Sequence, residues 1–458
     1  MSAKSPLRVL LVIRHQLFLR LIEPWVRGLI ERGDTLEICV TTMSADTVMD
    51  NAALHSIVGG ASIIQAPLGG GRRGRLLLSI RLLQDYLRYL DPIYDECEAL
   101  RNRAAAPIPW FLRAALNLLG ARLHGIRWFF ISLLRTLDWF LPCDPLVRDF
   151  LAKRSFDVLL VTPLVDPNSG ECEYLKCAIQ RGDKTALIVA SWDNLTNKGL
   201  VQFVPDRIFV WNRLMAEELE RLHRISREKV IVTGAPVFDP WFVMKPRASR
   251  EGFCAALGLD PSKPIILYLC SSKFIAANEA ESISSWVKKV RNHPDPVIRH
   301  ANVLIRPHPG NLQQWGDIKT LDNVVVWPPQ GEQVIDAETR SRYFDSLHHC
   351  AVVVAINTSG MLESAIVGRP VLMLSDSRSH LTQEGTLHFR HLLNGRLVHL
   401  VTSEVHHFEQ LGAFLEGRDR GREQRDRFVL EFVRPFGRDV KPAFVGLRAL
   451  DALCDRHE

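Results

Sequence analysis

Short apolar runs closed by turn residues alternate with amphipathic stretches along most of this chain. Residues 7–13 are almost wholly aliphatic, the pattern of a strand buried on both faces, and an amphipathic helix follows to about residue 32. The strand signal returns at 36–42, after a turn at Gly33 and Asp34, and at 61–66, after a helix at 53–58. It recurs at 157–161, 184–190, 208–211 and 229–232, with helices ending near 180 and spanning 216–223. Such alternation predicts a doubly wound α/β domain whose ligand face lies at the carboxyl ends of its strands. The stretch 244–249, MKPRAS, is basic and holds a proline, the composition of a linker. Beyond it the same grammar restarts, with strands at 264–270, 302–305 and 324–327 and a helix at 343–349. The fold class is therefore α/β, with an N-terminal Rossmann-like domain over 1–243 and a C-terminal one over 244–458.

The period changes between 75 and 150, where Leu, Tyr, Trp and Phe recur every three or four residues as a helical insertion. Its part 108–141 is apolar yet punctuated by Arg113, Arg122, Arg127 and Arg135. A helix of that kind lies in a membrane interface, or packs on its own domain with the arginines solvated. Nothing reaches the roughly 18 uncharged apolar residues of a spanning helix.

The most informative stretch is 351–374, AVVVAINTSGMLESAIVGRPVLML. A β-branched run ends in Asn357-Thr358-Ser359-Gly360. Leu362, Ala365 and Ile366 then follow at helical spacing to a stop at Gly368, and a second strand closes a βαβ unit. Hydroxyls and glycine at a helix start suit a phosphate, because the amides there are unpaired. Glu363, one turn deeper, suits ribose hydroxyls. Helix capping alone also explains Asn, Thr and Ser at this place.

The string TSGxxxExxxxGxPVL resembles the donor-binding segment of GT-B glycosyltransferases. The resemblance implies two Rossmann-like domains facing across a cleft, with phosphate held at Ser359 and Gly360 and ribose at Glu363. The string SWDNLTNKG at 191–199 is similar to a loop of bacterial surface-polysaccharide proteins of GT-B type. TGxPxxD from Thr233 resembles the last strand before the interdomain crossing, and 439–454 a helix crossing back.

Two further loops follow strand ends in the C-terminal half: Ser271-Ser272-Lys273 and Arg306-Pro307-His308-Pro309. With Asn357 to Gly360 they offer cationic and neutral donors suited to phosphate charge. The His-Pro pair with a downstream Ser resembles bacterial sialyl- and Kdo-transferases and CDP-glycerol glycerophosphotransferases. In those families the histidine contacts the donor phosphate or protonates the leaving group, which implies that role for His308. A base for the acceptor hydroxyl is expected from the N-terminal half. His15 after the first strand is the first candidate, Asp193 the second and Glu23 the third. Arg14, Arg72, Arg73 and Asn194 are expected on the acceptor side, with a solvated basic loop as the plain alternative at 69–75.

Composition narrows the picture only a little. The 458 residues are 47% hydrophobic and 24% charged, which is globular. A net charge of +6 suits nucleotides or acidic lipid head groups and is too dispersed for nucleic acid. Nine scattered cysteines form no CxxC pair, so a reducing cytoplasm is expected, with peripheral placement at the membrane's inner face if 108–141 binds lipid. The N-terminus runs straight into a strand without the shape of a signal peptide. No DxD string marks a metal site, since Asp345 and Asp376 stand alone. No cofactor is expected beyond a nucleotide-activated donor as substrate.

The sequence thus implies a metal-independent glycosyltransferase, moving a sugar or glycerophosphate unit from a nucleotide-sugar or CDP-glycerol-like donor to a glycan or glycolipid acceptor. One alternative is a non-hydrolysing UDP-sugar 2-epimerase, which shares the fold and needs acids such as Glu171 and Glu173 in the N-terminal half. The other is a non-catalytic membrane-associated scaffold.

Overall fold

The computed structural model describes residues 5–42, 54, 57–165, 169–273, 275–312, 321–334, 336–373, 386–401 and 403–454. Asp376 and residues 53, 55 and 56 of the helix expected at 53–58 lie outside these residues. The chain divides into two compact units, one of residues 1–239 with 432–458 and one of 240–431.

The first unit is built on a seven-stranded parallel sheet in the order β3-β2-β1-β4-β5-β6-β7. Its central strands are β1 (Arg8–Ile13), β2 (Thr35–Val40) and β4 (Val158–Thr162), with Val9 opposite both Leu36 and Val158. β3 (Ser62–Gln65) forms one edge; β5 (Thr185–Ile188), β6 (Arg207–Val210) and β7 (Val230–Val232) complete the other side. Every residue of β1 but Arg8 is buried, which is why its sequence shows a continuous apolar run and no alternation. Strand order reverses between β1 and β4, the place where sheets of this kind leave a crevice at their carboxyl ends.

The division of the chain at 243/244 needs one correction, because residues 432–458 belong to the first unit. The reason is close helix packing. Gly446 of the Pro442–Leu453 helix has no room for a Cβ, which would stand 2.1 Å from Trp25, and one on Gly28 would stand 2.6 Å from Leu447. Arg32 then closes the contact on Asp451 at 3.1 Å.

The insertion comprises the helices Gly71–Tyr89, Glu98–Ala105, Trp110–Leu118, His124–Phe140 and Pro145–Ala152. The expected glycine-rich loop at 69–75 is therefore mostly helix, starting at Gly71. The apolar stretch 108–141 is not one helix, since Gly120 takes φ +70 and turns the chain between two. Tyr86, Leu87, Leu116, Trp128 and Ile131 form the insertion's own small core with Leu200. It is tied to the Glu171–Arg181 helix by buried charge: Lys176 meets Asp138 at 3.1 Å, and Arg81 bridges Asp138 at 2.8 Å and Glu173 at 2.7 Å.

The second unit holds a six-stranded parallel sheet in the order β10-β9-β8-β11-β12-β13. Here β8 (Ile265–Leu269) lies between β9 (Asn302–Arg306) and β11 (Val352–Ala355), in registers pairing Leu267 with Leu304 and with Val353. β10 (Val324–Val326), β12 (Val371–Met373) and β13 (Val398–Leu400) complete it. Ile266, Tyr268, Val303, Ile305, Val352 and Val354 pack one face against the Glu279–Arg291 and Glu404–Leu415 helices through Ile283, Val287 and Leu411.

Candidate functional site

The sheet order of the second unit brings three loops side by side. β9, β8 and β11 are neighbours and parallel, so His308, Ser271 and Ser359 leave the same edge of the sheet, and the order of strands reverses there. The loops are also bonded to one another. The Asn357 amide donates to Ser271 Oγ at 3.4 Å, Asn311 Nδ2 donates to the Ser271 carbonyl at 3.1 Å, and the His308 amide donates to the Cys270 thiol. Glu279, buried at the head of its helix, accepts from the Ser271 amide at 2.7 Å and the Tyr268 hydroxyl at 3.2 Å. Burial pushes the Glu279 carboxyl up to about 7 against the bonds that would lower it.

His308 is half-buried and its tautomer is fixed. Its Nδ1 accepts from the Gly310 amide at 3.0 Å, so the neutral ring carries its proton on Nε2, as a donor. Ser359 is exposed and occupies the N-cap position of the Gly360–Ile366 helix, yet its side chain makes no capping bond. That task falls to Thr358, whose Oγ1 accepts from the Gly360 amide at 3.3 Å. Capping therefore explains Thr358 and leaves Ser359 unexplained. The helix spans seven residues, so its dipole adds little, and hydroxyls and amides of the loop are its polar offer.

Glu363 is held by a residue that sequence reasoning passed over. The Tyr343 hydroxyl hydrogen-bonds the carboxylate of Glu363; burial first, and then this negative neighbour, hold the phenol well above its ordinary pKa. Tyr343 also explains the glycine, since a Cβ on Gly360 would stand 2.6 Å from its hydroxyl oxygen. Its only sequence signal was an aromatic on the buried face of the Ala337–His349 helix, indistinguishable from core.

Three expected ligand contacts are corrected by geometry. The Arg306 guanidinium is buried, donates to Ser346 at 2.9 Å and Glu332 at 3.1 Å, and stacks between Trp327 and Tyr343 at 5.0 and 5.1 Å. It supports the loop beneath the site and is not directed to a phosphate. In the first unit Arg73 is consumed by Asp144 at 3.4 Å and Glu173 at 3.0 Å, clamping the insertion. Asn194 is buried with its Oδ1 on the Ser191 amide at 3.1 Å, holding its own loop. Lys273, Ser272 and Arg72 remain at least partly exposed.

The other first-unit candidates stand at strand ends. His15 follows β1 and caps no helix with its side chain; its ring lies 4.5 Å from that of Phe18. The Arg14 carbonyl accepts from the Thr42 amide at 2.7 Å, fixing the exits of β1 and β2 together. Asp193 accepts from the Ser191 hydroxyl at 2.6 Å at the end of β5. Glu23 is buried and paired with Arg27 at 2.8 Å, the position of a helix-stabilising carboxylate.

A cavity of about 170 Å³ opens at the ends of β2, β3 and β4, lined by Thr42, Arg73, Arg81, Asp85, Glu173 and Gln202. Burial raises the Glu173 carboxyl, but Arg81 outweighs it and the net shift is downward, to a fixed anion. Glu171 is buried beside Ser169, whose hydroxyl it receives. Asp85 differs, because burial pushes it up to about 6 although the Leu200 amide donates to it at 2.7 Å. Among the described residues no group of three or more His, Cys, Asp and Glu is arranged to hold a metal ion.

No family model and no curated protein matches the chain. Solved structures do. A UDP-GlcNAc 2-epimerase from Neisseria meningitidis bound to UDP-GlcNAc superposes with a TM-score of 0.57 at 15% identity, covering 97% of this chain and 99% of the other. The UDP-GlcNAc 2-epimerase of Methanocaldococcus jannaschii gives 0.56 at 12%, with the same coverage. A glycosyltransferase from Rickettsia africae gives 0.53 at 10%, covering 99% and 100%. At these identities the likeness concerns the fold, which is GT-B-like over nearly the whole chain.

Proposed function

We propose that this chain is a nucleotide-sugar enzyme of GT-B type that transfers a sugar or glycerophosphate unit to a lipid-linked or polysaccharide acceptor in bacterial surface-glycan assembly, without a metal ion. The observation that carries the reading is the bonded group of strand-end loops in the second unit. It sets the Nε2–H of His308, the uncapped hydroxyl of Ser359 and the Tyr343-held carboxylate of Glu363 at one sheet edge. As the bond to the leaving phosphate breaks, negative charge grows on the phosphate oxygens. A histidine N–H, a hydroxyl and loop amides stabilise that charge with no reorganisation at the moment of reaction. Glu363 accepts hydrogen bonds from the ribose. The acceptor hydroxyl loses its proton to His15, with Asp193 as the second candidate.

A melting-temperature panel with CMP, CDP, UDP and GDP tests the binding half of this reading. One nucleotide raises the transition of the wild type, and Ser359→Ala and Glu363→Ala abolish or reduce that rise. No rise with any nucleotide overturns it in favour of a non-catalytic scaffold.

A second reading, a UDP-sugar 2-epimerase, draws support from the relatives just described and from Asp85, an acid tuned to about 6 in the first-unit cavity. Against it, Glu173 is locked by two arginines and Asp144 by one, so few acids there are placed to exchange protons with a sugar. Proton NMR of UDP-GlcNAc incubated without acceptor separates the two, since only an epimerase yields the C2-inverted product.

A further inference from the structure

The His124–Phe140 helix is apolar on its outer face as well as on the face that buries Trp128 and Ile131. Phe129, Ser132, Leu133, Thr136, Leu137 and Phe140 recur at helical spacing, and all six are exposed, so its outer face carries no charge. The charges of the same helix point inward. Arg127 pairs with Asp91, Asp138 receives Arg81 and Lys176, and Arg135 donates to the Val201 carbonyl at 2.8 Å. A helix facing water partitions its residues the other way. The Arg213–His223 helix of the same unit does so, exposing Arg213, Glu217, Glu220 and Arg221. The apolar face continues over the turn at Gly120 to the preceding helix, where Trp110 is 74% exposed and Leu118 89%.

Charge identifies what covers this face. Residues 101–138 contain six arginines and a single acid, Asp138, which is buried. A groove of about 510 Å³ runs along the Trp110–Leu118 helix, lined by Arg101, Arg113, Arg122, Trp110 and Tyr86 and by no carboxylate. Arg101 and Arg122 share Asp95, whereas Arg113 makes no ion pair and no side-chain hydrogen bond among the described residues. In a two-fold dimer this patch would meet only its own copy, whose one nearby acid, Asp95, is already shared by Arg101 and Arg122. An anionic lipid surface meets both features: its phosphates take the guanidinium groups, and its interface takes Trp110 and the uncharged row.

We propose that the insertion docks the protein on an anionic phospholipid bilayer. The Trp110–Leu118 and His124–Phe140 helices lie in the interface, with Arg113 and its groove on lipid phosphate. Neither helix is long and apolar enough to cross a membrane. This assignment is independent of the reaction, so a failure of one leaves the other standing.

Flotation of the full chain with vesicles tests it. Wild type floats with phosphatidylglycerol–phosphatidylcholine vesicles and less with phosphatidylcholine alone. The double variant Phe129→Asp, Leu133→Asp loses on the order of tenfold in partitioning with an unchanged melting temperature. Arg113→Gln loses binding only on the anionic vesicles. Leu133→Ser is the milder variant if the double one melts early, with a smaller loss expected. The proposal is overturned by a wild type that stays with the soluble fraction in both, or by variants that float as it does. It is overturned equally by a wild-type dimer in light scattering that the aspartates convert to monomer, because a second copy then covers the face.

Discussion

The Tyr343 hydroxyl hydrogen-bonds the Glu363 carboxylate, and the same oxygen leaves space at residue 360 for a glycine alone. One aromatic thus aims the acid and fixes the backbone of the loop that precedes it. Tyr343→Phe removes the aim while keeping the ring against Arg306 and Trp241. Titration calorimetry with the nucleotide found by the melting panel is expected to show a loss of about 1 kcal/mol, roughly fivefold in Kd. Unchanged affinity would mean that Glu363 does not meet the ribose.

His308 is expected to act on the departing phosphate more than on binding. His308→Ala should lower turnover at saturating donor by about 10²- to 10³-fold, the usual cost of removing one charge-stabilising donor, with a smaller change in donor affinity. Wild-type turnover in that variant removes the residue from the mechanism.

Glu279 connects the Ser271 loop to pH. An acid whose folded pKa lies above its unfolded value holds its proton more tightly when folded. Its stabilisation is therefore complete below the ordinary value of 4.5 and is lost as pH rises to about 7. The shift corresponds to an upper figure of about 3 kcal/mol. Urea denaturation of the wild type and of Glu279→Gln across that window measures it, and the variant is expected to lose the downward slope.

The buried pair Lys176 and Asp138 fastens the insertion to the Glu171–Arg181 helix. Lys176→Met leaves Asp138 with Arg81 alone in a dry site and should cost about 3 kcal/mol. The double change Lys176→Met, Asp138→Leu should recover part of that loss, because no uncompensated charge remains. A double variant less stable than the single one would contradict this view of the contact.

The sequence by itself determined the elements that depend on local pattern. Buried parallel strands are continuous apolar runs, so β1, β8, β9 and β11 were legible, as were the turn chemistry of Thr358 to Gly360 and the stop at Gly368. Periodicity states which residues share a helix face and is silent on which face is buried. For the His124–Phe140 helix that choice was made by Asp91, Arg81 and Lys176, which draw its charges inward and leave the apolar row outside. The same holds for Arg306 and Arg73: an arginine at a strand end or a helix start has no partner in its local sequence, and Glu332, or Asp144 and Glu173, reach it from distant parts of the chain. Tyr343 became a site residue only when strand order set its helix beside Glu363. Such contacts are long-range, and tertiary structure alone decides where a side chain spends its hydrogen bonds.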